Sequence, residues 1–296
     1  MALVLAAAWP VVLWLPYTSP LDESLSLLDA ARFTGVTASV VTPRVVGSAL
    51  VALTALAALV RPRWRVPLWS VSGSALLGLA CYVLWWVSGL GTGPDELRRS
   101  GWDADLALAA LALGIVVLGA VGLVRAAKAT PPALDRSRLP STPVAAVLTA
   151  VVAIAATWCA TRESAFVATY AFGTKGVLTD ELAASMRLVG LVTAVAMVVL
   201  PMLAVLAPDR RLATGLALGW TAFVAVPASA VVAAQVTGEG FEVDGRFGLG
   251  LLLVAGGTVG LLVWIGRTGP GRLLAAAPTA APEPSPTSAD PTSNES

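Results

Sequence analysis

Apolar runs long enough to cross a bilayer return along the whole chain, separated by shorter stretches that hold nearly all of the charge. This spacing constrains the fold more than any other feature. A helix that crosses the ~30 Å hydrocarbon layer needs roughly 20 predominantly apolar residues, because lipid offers its backbone no hydrogen-bond partner and its surface no water. The sequence offers eight such runs: residues 1–16, 45–60, 67–89, 104–124, 143–160, 187–207, 212–236 and 247–266. The expected fold class is all-α, a polytopic integral membrane helix bundle with about eight transmembrane helices.

Composition excludes the soluble alternative. Of the 296 residues, 57% are hydrophobic and 12% are charged, about half the charge of a soluble domain. A water-soluble monomer has no interior large enough for that much apolar surface. The net charge of +1 also argues against a nucleic-acid partner, which would require a basic face.

The first run is the weakest. It carries Pro10 and lacks the basic segment that opens a signal peptide, so it reads as a true span. The second run is short, and the apolar stretch Phe33–Val41 extends it outward. Orientation follows from the loops. Arg61, Arg63 and Arg65, then Arg125, Lys128, Arg136 and Arg138, then Arg210 and Arg211, and finally Arg267 and Arg272 occupy alternate connections and the C-terminal flank. Those positions hold eleven basic residues against five acids, and the remaining loops hold eight against thirteen. The positive-inside rule then places both termini in the cytoplasm, in a plasma membrane. Residues 271–296, rich in Ala, Pro, Ser and Thr, read as a disordered cytoplasmic tail.

The two halves echo each other. Trp14 and Trp158 each close an odd-numbered span at the outer face. Arg44-Val45-Val46-Gly47 and Arg187-Leu188-Val189-Gly190 each open the next span. Trp69 and Trp220 sit toward the inner ends of the third and seventh spans, and the fourth and eighth share Gly119-Ala120-Val121-Gly122-Leu123 and Gly257-Thr258-Val259-Gly260-Leu261. The expected organisation is a parallel 4+4 internal repeat. Its parts are a first membrane unit over 1–124, a cytoplasmic linker over 125–142 and a second unit over 143–270.

The residue inventory restricts chemistry. Histidine is absent, which removes His-ligated metal sites, His-ligated haem and Ser-His-Asp or Cys-His catalysis. Cys81 and Cys159 stand alone in apolar runs, and a disulfide between them requires their helices to meet. No metal site, cofactor or catalytic residue is expected. Ionisable groups are nearly missing from the spans, which lowers the expectation of ion-coupled transport.

Arg44 and Arg187, each at the outer end of a span and one turn before a glycine, are the candidates for binding a lipid or other anion. Snorkelling to headgroups is the simpler role for both. Asp103 and Asp105 form an acidic pair at the outer start of the fourth span. Ser19 to Glu23, Thr92 to Glu96 and Thr179 to Glu181 read as helix starts at the membrane surface. Small residues form stripes suited to close helix contact: Ser70, Ser74 and Gly78; Gly215 and Gly219; Gly256 and Gly260. Pro201 and Pro227 are expected to kink the sixth and seventh spans.

These features favour a protein without catalytic machinery, an assembly partner or accessory subunit of a membrane complex. The alternatives are a transporter of a lipid or amphipathic solute, and an outer-leaflet enzyme acting on a lipid-linked substrate. The expected partners are membrane lipids and, as a further candidate, another membrane protein.

Overall fold

A computed structural model of the chain describes residues 1–14, 16–18, 24–26, 38–90, 102–129, 141–161, 180–237 and 245–268. Seven helices in it are long and apolar enough to cross a membrane. They are α2 (Ala38–Val60), α3 (Arg65–Leu90), α4 (Trp102–Ala129), α5 (Thr142–Thr161), α6 (Asp180–Leu206), α7 (Arg210–Thr237) and α8 (Gly245–Thr268). The protein is an all-α helical bundle.

The eighth expected span takes a different form. Residues 1–14 fold as a six-residue helix α1 (Ala2–Ala7) followed by a 3₁₀ segment (Trp9–Trp14). Pro10 lies at the start of the 3₁₀ segment, where its ring and missing N–H oppose continuation of an α-helix. The segment still belongs to the bundle, since Ala6 and Trp9 are buried in the core. A short antiparallel ribbon follows, pairing Pro16–Thr18 with Ser24–Ser26. A strand therefore stands at Ser24–Ser26, next to the helix start expected from Ser19 to Glu23, a stretch that lies outside the described residues.

Helices α2 and α6 begin at residues 38 and 180, about two turns before the apolar runs at 45 and 187, α2 within the outward extension Phe33–Val41 and α6 at the helix start expected from Thr179 to Glu181. Pro43 lies within α2, Pro201 within α6 and Pro227 within α7. The α2–α3 connection is a single 3₁₀ turn, Pro62–Trp64, and Ala207 to Asp209 join α6 to α7. Both pairs are therefore tight antiparallel hairpins.

Each half of the chain closes on itself. In the first, α2 touches α1 and α3, and α4 touches α3 and α1. In the second, α6 touches α5 and α7, and α8 touches α7 and α5. The halves meet through α3 and α7, the most extensive contact in the molecule, flanked by α2 against α7 and α3 against α6. Helices α3 and α7 run parallel, for Pro67 faces Gly215 near one end and Gly78 faces Phe223 farther along.

Outward surfaces are apolar. On α5, Val144, Val147, Leu148, Val151, Ile154 and Trp158 are all more than half exposed and recur at helical spacing. Such a stripe would be an aggregation surface in water and is the ordinary dress of a lipid-facing helix.

Candidate functional site

Three features of the bundle hold the small residues and paired tryptophans singled out in the sequence: the α3–α7 seam, two indole seats, and two grooves on the bundle's flank.

The seam is built from small side chains. Apolar burial gives no advantage between helices in lipid, so close association rests on van der Waals contact between backbones brought near each other. Ser70, Ser74 and Gly78 line α3 on one face, and Gly215 and Gly219 line α7. The structure sets these stripes against each other. A Cβ on Gly78 would stand 2.6 Å from the Phe223 carbonyl oxygen. One on Gly215 would stand 2.5 Å from the Pro67 Cα, and one on Gly219 would strike the Ser74 hydroxyl. Around the seam, the Ser72 hydroxyl donates to the Val51 carbonyl of α2 at 3.3 Å, and the Cys81 thiol hydrogen-bonds Thr193 of α6. Cys81 and Cys159 are both free thiols.

The indole seats lie one in each half. Trp69 of α3 lies directly on Gly119 of α4, where a Cβ would collide with its ring. Trp220 of α7 lies on Gly257 of α8, where a Cβ would stand 2.9 Å from the ring edge and 3.0 Å from Val152 of α5. Both indoles are buried, and Trp220 has no exposed surface at all. Its ring N–H finds no hydrogen-bond partner among the described residues. Sequence reasoning noted the two Gly-x-Val-Gly-Leu stretches without seeing that the first glycine of each is a seat for a tryptophan from the neighbouring helix.

The grooves flank α7 and α8. One, with a volume of about 570 Å³, runs between α5 and α8 over Trp220. Gly256 and Gly260 line it, and a Cβ on either would meet nothing within 4 Å. These two glycines share the spacing of Gly215 and Gly219, but they face open space. At one end of the groove the Trp264 indole donates to the Ser141 hydroxyl at 3.1 Å. The other groove, about 690 Å³, lies between α2, α7 and α8 toward the opposite end and is lined by Thr42, Val46, Ser229 and Val236. Between the two, Thr221 and Thr258 share a 2.8 Å hydrogen bond that ties α7 to α8.

Arg44 lies one turn inside the apolar window of α2 and is 4% exposed, so it is enclosed by protein rather than presented to lipid. Ser48, one turn on along the same face, is also buried, and its hydroxyl has no hydrogen-bond partner among the described residues. The side chains of Arg187, Asp103 and Asp105 lie outside the described residues, as do the start expected from Thr92 to Glu96 and the C-terminal tail. Among the described residues, no group of three His, Cys, Asp or Glu side chains could hold a metal ion.

Seven membrane-length apolar helices, a seam of small residues and lipid-facing flanks together define a multi-pass helical membrane protein. No known protein family, curated protein or solved structure matches the chain.

Proposed function

We propose that this protein is a non-catalytic component of a bacterial plasma-membrane complex, an assembly partner or accessory subunit built from two parallel four-helix repeats. The observation that carries the reading is the closed seam. A carrier with a pathway between its repeats needs a face there that can open onto a site, and repeat interfaces are where such sites lie. Here Gly78 sits against the Phe223 backbone and Gly219 against Ser74, so α3 and α7 meet at backbone distance.

Two features support the repeat. Each half has the same ring of neighbours, and each half seats a tryptophan of its third helix on the first glycine of a Gly-x-Val-Gly-Leu stretch in its fourth. Residues 1–14 touch α2 and α4 as α5 touches α6 and α8, so on this reading they take the part of α5. Six α-helical residues, six 3₁₀ residues and three extended ones, laid end to end, would reach about 31 Å, close to the hydrocarbon thickness, and this reading counts the segment as the eighth crossing. Eight crossings put both termini on the side of the arginine-rich loops, the cytoplasm.

A second reading, a carrier of a lipid or amphipathic solute, draws on the two grooves. They open toward opposite ends of the bundle and are separated by the Thr221–Thr258 pair.

Affinity purification from native membranes, with the chain tagged at its C-terminus, tests the first reading. A membrane protein recovered at fixed stoichiometry is the expected result. Recovery of the chain alone, with facilitated movement of labelled lipid across proteoliposomes that contain it, would overturn it in favour of the second.

A further inference from the structure

The α5–α8 groove has a length, a lining and a charged rim that fit one kind of occupant. From Ser141, just before α5, to Val152 it covers eleven residue rises, about 17 Å, and from Leu252 to Trp264 on α8 twelve rises, about 18 Å. Half of the hydrocarbon layer is about 15 Å thick. The groove therefore spans one leaflet, from an end of the bundle to its middle. A transmembrane helix of a partner would need a channel along the whole bundle. A single acyl chain needs this much and no more.

The lining agrees. Leu148, Val152, Leu253 and Leu261 form apolar walls, and the Trp220 ring forms the floor. Gly256 and Gly260 leave the space open. The volume of about 570 Å³ lies within the usual range of small-molecule pockets, ~300–1,000 Å³.

The rim decides the headgroup. The groove ends at Trp264, and Arg267 follows three residues later on the same helical face, exposed in the last turn of α8. Arg210 donates to the Gly266 carbonyl at 3.3 Å, which brings the α7 start and its neighbour Arg211 to the same rim. The described connections at this end also carry Arg61, Arg63 and Arg65, and their acid is Asp209, which precedes Arg210. A lipid whose chain lies in the groove would have its phosphate at this cationic edge.

We propose that the α5–α8 groove is a binding site for one anionic phospholipid of the leaflet on the arginine-rich side, its acyl chain over Trp220 and its phosphate against Arg267. The site stands independently of the accessory-subunit reading, since a subunit and a carrier can each hold a lipid. Its role is to fill a notch that the chain leaves unfilled and to fix α8, which touches the rest of the bundle mainly through α5 and α7.

The test is native mass spectrometry of the full chain after exchange into micelles holding equal amounts of phosphatidylglycerol and phosphatidylcholine. The wild-type chain is expected to retain one phosphatidylglycerol. Gly256→Leu with Gly260→Leu fills the groove without a backbone clash and should lower retention at least about tenfold, with helicity and elution volume unchanged. Arg267→Gln should keep the chain site and lower the preference for phosphatidylglycerol about fivefold. Retention unaffected by either variant would overturn the site, as would a wild-type chain that holds no lipid. A dimer of the wild type that the double glycine variant converts to monomer, with lipid retention unchanged, would overturn it too and assign the groove to a second copy of this chain.

Discussion

The centre of the bundle and its rim are made from different residues for opposite reasons. Helix α3 has 72% of its apolar window buried inside the protein and is the least apolar of the seven spans. Helix α4 has 22% buried and is the most apolar, and α5 has only 17% buried. In a soluble domain the order would reverse, because burial there follows hydrophobicity. Here lipid is already as apolar as leucine, so hydrophobicity marks the surface that meets it, and small or weakly polar residues mark the places where helices meet each other. Ser70, Ser74, Gly78 and Gly219 belong to the centre, and Val144, Val151, Leu118 and Leu252 belong to the rim.

The sharpest way to break that contrast is to place the same side chain in both regions. Gly78→Leu pushes a branched side chain into the Phe223 backbone, which cannot yield without parting α3 from α7. The expected loss exceeds about 4 kcal/mol, the range reserved for disrupted cores. In practice the chain should not be recovered as a monodisperse, folded species. Gly256→Leu makes the same chemical change at a site where a Cβ meets nothing within 4 Å, and stability should stay within about 0.5 kcal/mol of wild type. SDS-titration unfolding followed by circular dichroism measures both. Equal losses would show that the glycines of α8 are packed as tightly as those of the seam.

The indole seats give the next largest effect. Trp220→Ala and Trp69→Ala each empty a volume that only a glycine on the next helix makes possible, and each should cost about 3 kcal/mol. If the halves are repeats, the two losses should match within the scatter of the method. A loss at one seat and tolerance at the other would mean that the resemblance between the halves is confined to the sequence.

Much of this architecture is legible in the sequence, and what is not has a physical reason. Helices α3, α4, α5, α7 and α8 fall within a few residues of their apolar runs, because a window of hydropathy measures the requirement that lipid imposes. Where helices start shows in capping chemistry and not in hydropathy. Asp180 and Glu181 suit the first turn of a helix and penalise only insertion into hydrocarbon, so α6 begins outside the membrane window. The small-residue stripes were readable as residues but not as partners. Gly215 and Gly219 face α3 while Gly256 and Gly260, at the same spacing, face an open groove. A spacing shows that a close neighbour would fit, and only the fold says whether one is there. The split of residues 1–14 hangs on Pro10, and apolar content alone does not register it.

The smallest expected effect probes the line between centre and rim. Thr221 of α7 and Thr258 of α8 share a 2.8 Å hydrogen bond between the two grooves, with Thr258 buried and Thr221 turned outward. Hydrogen bonds between membrane helices contribute about 0.6 kcal/mol on average, since an opened helix finds other partners for the same groups. Thr221→Val keeps shape and removes one hydroxyl, Thr258→Val removes the other, and the double variant should be no worse than the sum less about 0.6 kcal/mol. That coupling is small because α8 is held mainly by its contacts with α5 and α7. A coupling of several kcal/mol in the double-mutant cycle would mean that the Thr pair is the chief tie of α8, and the boundary of the tightly packed centre would then have to be drawn outside α8 instead of inside it.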